Sequence, residues 1–158
     1  MWKGLIFCFV VLVFPSTSQA QTMIAGVSVN CIDAYGVPVA AIPAPQLGDV
    51  GMARIEPNGV RVIYLNPIIL NTLPPSIQLF WYAHECAHHH LGHTYGFNQF
   101  SREREADCWA IRIGRDQGWI TPNTLDTMVH YFAGNPGSHW GHLPGPQRLQ
   151  HFVNCYRS

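Results

Sequence analysis

The chain has 158 residues, a length suited to one domain rather than two. Apolar residues make up 47% and charged residues 11%, a balance that builds a core and excludes a disordered chain. Nine Lys and Arg against nine Asp and Glu leave neither a basic surplus to grip nucleic acid nor an acidic tail.

The first twenty residues read as an export signal. Lys3 gives a positive start, residues 5–14 form an apolar run of ten, and Ser18 and Ala20 supply a small-x-small cleavage site. The run falls well short of the ~20 residues a spanning helix needs. The expectation is cleavage after Ala20, a single domain over residues 21–158, no stable membrane insertion afterwards, and a periplasmic or secreted location. Lys3 is the sole lysine, so the processed chain carries eight Arg against nine acids, a formal charge of −1. Cleavage also removes Cys8 and leaves Cys31, Cys86, Cys108 and Cys155, an even set that in an exported domain predicts two disulfides. Four cysteines allow three pairings. The pairing expected here is Cys31–Cys155, stapling the two ends, with Cys86–Cys108 joining two helices. The absence of a C-x-x-C spacing disfavours a zinc ribbon.

Residues 27–32 read as a strand, and residues 37–45, with three prolines, as extended or looped chain. Residues 51–56 and 60–65 flank Pro57-Asn58-Gly59 and predict a β-hairpin, stopped by Asn66-Pro67. Pro74-Pro75-Ser76 opens a helix over residues 77–91, with Gly92 as its stop. A second helix is expected from near Ser101, as N-cap, to Gln117, closing at Gly118. A third covers residues 123–132 behind Thr121-Pro122, residues 134–146 are a Gly/Pro-rich loop, and a last helix spans residues 147–155. Strands first and helices after, without βαβ alternation, argue an α+β fold: an N-terminal hairpin or sheet packed on a helical hairpin, plus two short C-terminal helices.

All nine histidines lie between His84 and His151. Within them, His84-Glu85-Cys86-Ala87-His88 is an H-E-x-x-H pattern. One helical turn separates the two histidines, so both imidazoles face the same way and can share a cation. Glu85 is rotated by about 100° and reaches past such an ion, where it can take a proton from water. On the next helix Glu103 and Asp107 also stand one turn apart. The loop between the helices is short, so they are expected to run antiparallel as neighbours. If His88 lies opposite Glu103, then His84 lies opposite Asp107. That register makes His84, His88 and Glu103 the metal ligands and Asp107 the carboxylate that orients His84. Glu105 is turned about 200° from Glu103 and drops out as a ligand. Gly and His are missing at the positions after His88 where a metzincin needs them, and no Gly-Cys-Leu precedes the motif as in peptide deformylase. His89, His90 and His93 read as helix-end side chains near the negative end of the dipole.

The run Ala83 to His93, followed by Arg104-Glu105-Ala106-Asp107, resembles the gluzincin metallopeptidases of the HtpX and CAAX-prenyl-protease-1 type. The resemblance implies a zincin-like domain, one Zn2+ held by His84, His88 and Glu103, and Glu85 as general base. His142-Leu143-Pro144-Gly145-Pro146-Gln147-Arg148 resembles the family's His-Pro segment followed by Arg, with Leu143 inserted, and nominates His142 as the catalytic oxyanion donor. Arg148, His139 and Tyr95 are the other candidates for oxyanion or substrate contacts. The implied activity is zinc-dependent endopeptidase action on exported or misfolded polypeptide. The alternative is a non-catalytic zinc-binding or chaperone-like exported module of the same fold, which has no need of Glu85.

Overall fold

The computed structural model describes residues 22–95, 99–137 and 142–158, so the expected export signal at residues 1–20 lies outside the described residues. The chain enters through a small antiparallel pair, β1 (Thr22–Ile24) and β2 (Val27–Val29). Ala25 and Gly26 both take positive φ (50° and 79°), which closes a two-residue turn whose twist matches its strands. The strand expected over residues 27–32 is therefore half of a hairpin. A second sheet has the order β3-β5-β4, from β3 (Ala40–Pro43), β4 (Gly51–Ile55) and β5 (Arg61–Leu65). β4 and β5 form the antiparallel hairpin read from the sequence, while β3 pairs with β5 in parallel. The proline-rich segment supports a strand because β3 lies at a sheet edge, where a missing N–H costs no ladder bond. β5 is the central strand, with Val62, Ile63 and Leu65 buried. β4 is left as the other edge.

Asn66 does not only stop β5. Its Oδ1 accepts from the backbone N–H groups of Ile68 and Ile69 and caps a one-turn helix, α1 (Pro67–Leu70). The long helix α2 (Pro75–His90) begins with proline at its first turn and buries residues on every side, including Ile77, Phe80, Tyr82, His84 and Cys86. It is the core helix, with the sheet on one flank and the other helices on the other. A 3₁₀ turn, His93–Tyr95, leads towards α3 (Gln99–Asp116), which starts two residues before Ser101, so Ser101 is inside the helix and not its cap. α4 (Pro122–Phe132) opens on a reciprocal capping box between Thr121 and Thr124. α5 (Gly145–Arg157) extends two residues beyond the expected span at each end. The fold is mixed α+β, with strands leading and helices following. No helix among the described residues is long and apolar enough to cross a membrane.

α2 and α3 pair as antiparallel neighbours: His88 meets Glu103 and His84 meets Asp107. Behind this pair Phe80, Phe132 and Phe152, all fully buried, stack with ring centroids 5.1–5.5 Å apart and join α2 to α4 and α5. On the opposite flank the buried His89 donates from Nε2 to the Val62 carbonyl (2.9 Å), fastening α2 to β5. His89 is thus a tie to the sheet and not a helix-end side chain facing water.

The disulfide pairing corrects the expected one. Cys31 bonds Cys86, joining the segment after β2 to α2, and Cys108 bonds Cys155, joining α3 to α5. Helix rotation explains the exchange. Cys86 is two residues from His84, about 200° around α2, and so faces away from α3. Cys108 follows Asp107 by about 100° and turns from α2 towards α5. Proteolytic mapping of the folded, unreduced chain should recover these two crosslinks and no free thiol among the four. Breaking either should lower unfolding free energy by about 2–4 kcal/mol. Recovery of Cys86 linked to Cys108 would contradict the packing described.

Candidate metal centre

His84 and His88 leave α2 on the face turned to α3, which returns Glu103 and Asp107. Nε2 of His84 lies 3.2 Å from Nε2 of His88 and 3.1 Å from Oε2 of Glu103, and Nε2 of His88 lies 3.5 Å from Oε1 of Glu103. Two ring nitrogens and one carboxylate thus stand in a triangle of residues, with the carboxylate meeting the two rings through different oxygens. Zinc bonds of ~2.0–2.1 Å in a tetrahedron place ligand atoms about 3.3–3.4 Å apart, close to these separations. Two imidazoles and a carboxylate are also the donor types such an ion takes in open sites. From the segment before α5, His142 brings Nε2 to 2.7 Å from Glu103 Oε2, so His84, Glu103 and His142 too gather ligand atoms within 4.8 Å of one another.

Asp107 stands behind His84. Its Oδ1 is 2.9 Å from Nδ1 of His84, though the angle departs from a straight hydrogen bond. Both its oxygens accept from Arg148, Nε at 2.8 Å and Nη2 at 2.6 Å. Arg148 is 1% exposed and lies against Phe80, Trp81, Phe132 and Phe152, with the guanidinium carbon 4.8–5.8 Å from the ring centres. This corrects one expectation: Arg148 does not reach the cleft as an oxyanion contact but holds Asp107 from behind. Tyr95 is also placed elsewhere, its hydroxyl accepting from Arg61 Nη2 at 3.0 Å and its ring edge-on to Tyr35. His139 lies outside the described residues.

Burial opposes charge on His84, yet the carboxylates of Asp107 and Glu103 outweigh it and push this imidazole up to about 10. Burial would raise the carboxyl of Glu103, but His142, His84 and His88 hold it far below the usual carboxylate range. Asp107 is likewise desolvated, and the charge of Arg148, followed by His84, holds it down to about 2. Two carboxylates thus flank His84 and favour its charged form.

The cleft in front of this cluster has a volume of about 500 Å³. It is lined by Gly51, Met52 and Ala53 of the edge strand β4 and by His84, Glu85, His88, Glu103 and His142. Glu85 is 7% exposed and packs so closely under β4 that a Cβ on Gly51 would stand 2.8 Å from Glu85 Cγ. No side chain fits at position 51 without moving Glu85.

Two neighbours of the site were not read as such from the sequence. His93 is buried, with Nδ1 at 3.3 Å from Nδ1 of His88 and Nε2 at 3.1 Å from Glu105 Oε2. Five residues and a Gly-induced turn separate His93 from His88, so neither helical nor strand spacing announces the contact. A second grouping of potential ligands, Cys108, His151 and Cys155, sits between α3 and α5. Its two sulfurs are joined to each other, which leaves no thiolate to bind an ion while the disulfide stands.

No family model, curated protein or solved structure matches the chain. Fold and site together define a small α+β domain with two groupings of potential metal ligands, of which the one formed by His84, Glu103 and His142 lines an open cleft.

Zinc binding at His84 would have to displace the proton that its carboxylate neighbours favour. Because that group is raised above its ordinary value, it stays protonated as pH rises through neutrality and loses its proton only near about 10. Zinc titration by calorimetry at neutral pH, in buffers of different ionisation heats, should report release of about one proton per ion, fading above pH ~10. Release that is absent at neutral pH would mean the imidazole is neutral beforehand.

Proposed function

We propose that the chain is a zinc-dependent metallopeptidase, a zincin-like domain related in its site to the HtpX and CAAX-prenyl-protease-1 gluzincins, acting on exported or misfolded polypeptide. The observation that carries this reading is the position of Glu85: a carboxylate that lines the same cleft as His84, His88 and Glu103 and packs against Gly51 of the edge strand β4. A protein that only held the ion has no use for that carboxylate.

His84, His88 and Glu103 would hold one zinc and leave its fourth position towards the cleft. Zinc bound there supplies electrophilic activation of water and of a scissile carbonyl at neutral pH. Glu85 accepts the proton of the attacking water and returns it to the leaving amine. Asp107, fixed by Arg148, keeps the imidazole of His84 turned to the ion. His142, which lines the same cleft, would donate to the tetrahedral oxygen as charge develops on it. The edge of β4 can take an extended peptide as an added strand, which binds main chain with little demand on side chains. The two disulfides, with the export signal expected from the sequence, support work outside the cytoplasm.

Glu85→Gln should retain stoichiometric zinc and lose about 10²–10⁴-fold in peptide cleavage. Glu103→Gln should lose zinc itself, since an amide is the poorer ligand. The check is metal content and hydrolysis of a peptide library by wild type and both variants. Wild type that binds zinc and cleaves nothing would leave the non-catalytic module as the better reading.

Gly51→Ala tests the strand–base contact separately. The added methyl must displace Glu85, so cleavage should fall by about tenfold or more while bound zinc is unchanged. Equal activity in the two proteins would show that Glu85 works from another position.

A further inference from the structure

We propose that His93 and Glu105 form a positioning relay for the metal ligand His88, of the chain His88 Nδ1–H to His93 Nδ1, and His93 Nε2–H to Glu105. The proposal rests on the zinc site described above and extends it to two residues outside the motif.

The direction of each bond follows from chemistry. Glu105 Oε2, 3.1 Å from His93 Nε2, is a carboxylate oxygen and only accepts, so Nε2 carries the hydrogen. A neutral imidazole protonated at Nε2 presents a bare lone pair at Nδ1. That lone pair lies 3.3 Å from Nδ1 of His88. His88 turns its Nε2 to His84 and Glu103, so Nε2 is its ligand atom and the hydrogen must sit on Nδ1, the atom aimed at His93. With Nε2 of His88 kept for the ion, donor meets acceptor at each link.

The backbone supports the same arrangement. Gly92, at φ 73°, ends α2 and turns the chain so that His93 folds back beside His88. Arg102 Nη1 donates to the His93 carbonyl at 2.8 Å, pinning the turn to α3. The side chain of His88 is 14% exposed, that of His93 7% and that of Glu105 59%, so the relay runs from a half-buried ligand through a buried imidazole to the surface. The two ligand histidines on α2 are thus oriented by different means: His84 by a buried Asp held by Arg148, His88 by a second imidazole held by a surface Glu. Metal-bound histidines as a rule donate their far N–H to such a partner, and losing the partner weakens binding.

The test is zinc affinity by competition with a chromophoric chelator, on the full processed chain, with no peptide substrate. His93→Leu removes the acceptor and should weaken zinc by roughly 10–100-fold. His93→Asn places an amide oxygen near the lost Nδ1 and should restore most of that loss. Glu105→Gln, made at an exposed position that leaves the core alone, should cost several-fold by loosening the ring of His93. In the zinc-loaded wild type, ¹⁵N-resolved imidazole spectra should show a slowly exchanging Nδ1 proton on His88 that His93→Leu abolishes. Unchanged affinity in both His93→Leu and Glu105→Gln overturns the relay while leaving the zinc site standing. A His93 Nδ1 resonance displaced to a metal-bound position also overturns it, because His93 would then be a ligand. Wild type that takes up no zinc overturns the site reading and the relay with it.

Discussion

A single carboxylate, Asp107, organises this molecule. It is 1% exposed, and a charge so far from water persists only if paired on the spot. Arg148 of α5 supplies two hydrogen bonds and His84 of α2 a third contact, so one buried anion on α3 ties three helices to a common point. The aromatic ring wall of Phe80, Trp81, Phe132 and Phe152 covers the guanidinium, which makes the hydrophobic core and the ionic knot one structure. Removing one partner strands the other in a dry interior, a loss of about 3–5 kcal/mol in comparable cases. The ligand triangle rests on this base, since the orientation of His84 is set by it.

Around the knot, the site is assembled from elements distant in sequence but held by short ties. α2 is fastened to the sheet by His89 and Val62, which brings β4 over Glu85. α3 is fastened to α5 by Cys108–Cys155, which brings the chain before α5, with His142, to Glu103. Each crosslink lies one residue from a working group: Cys86 follows Glu85, and Cys108 follows Asp107. Each helix is therefore anchored by a covalent bond to a separate neighbour, α2 to the segment after β2 and α3 to α5, while packing holds the two helices to each other.

The parts that sequence discloses are those governed by local period. One helical turn between His84 and His88, and another between Glu103 and Asp107, are visible without coordinates, and a short loop turns them into facing pairs. The β4–β5 hairpin is likewise announced by its turn. What stayed hidden depends on non-local pairing. The parallel addition of β3 to β5 is invisible because its proline-rich segment carries no alternation. The disulfides were misread by treating cysteines on neighbouring helices as neighbours, without following their rotation about each axis. The resemblance of the segment from His142 to Arg148 points Arg148 to the cleft, whereas the cage that claims it is built from α2, α4 and α5. Glu105 was dismissed as facing away from Glu103, which is so, but the far side of α3 is where the turn after Gly92 delivers His93.

The same buried groups also set a charge count. Glu85, Glu103 and Asp107 contribute three negative charges and Arg148 one positive, so with neutral imidazoles the enclosed cluster carries −2. A dication brings that sum to zero. A monovalent ion leaves the interior anionic and a trivalent one leaves it cationic, and either residue of charge is expensive where water is scarce. Were an ion bound here, the side chains that position its ligands would already favour a dication, before ligand softness or cavity size acts. An amide in place of Asp107, or a neutral side chain in place of Arg148, would alter not only the posture of His84 but the ionic charge that balances the pocket.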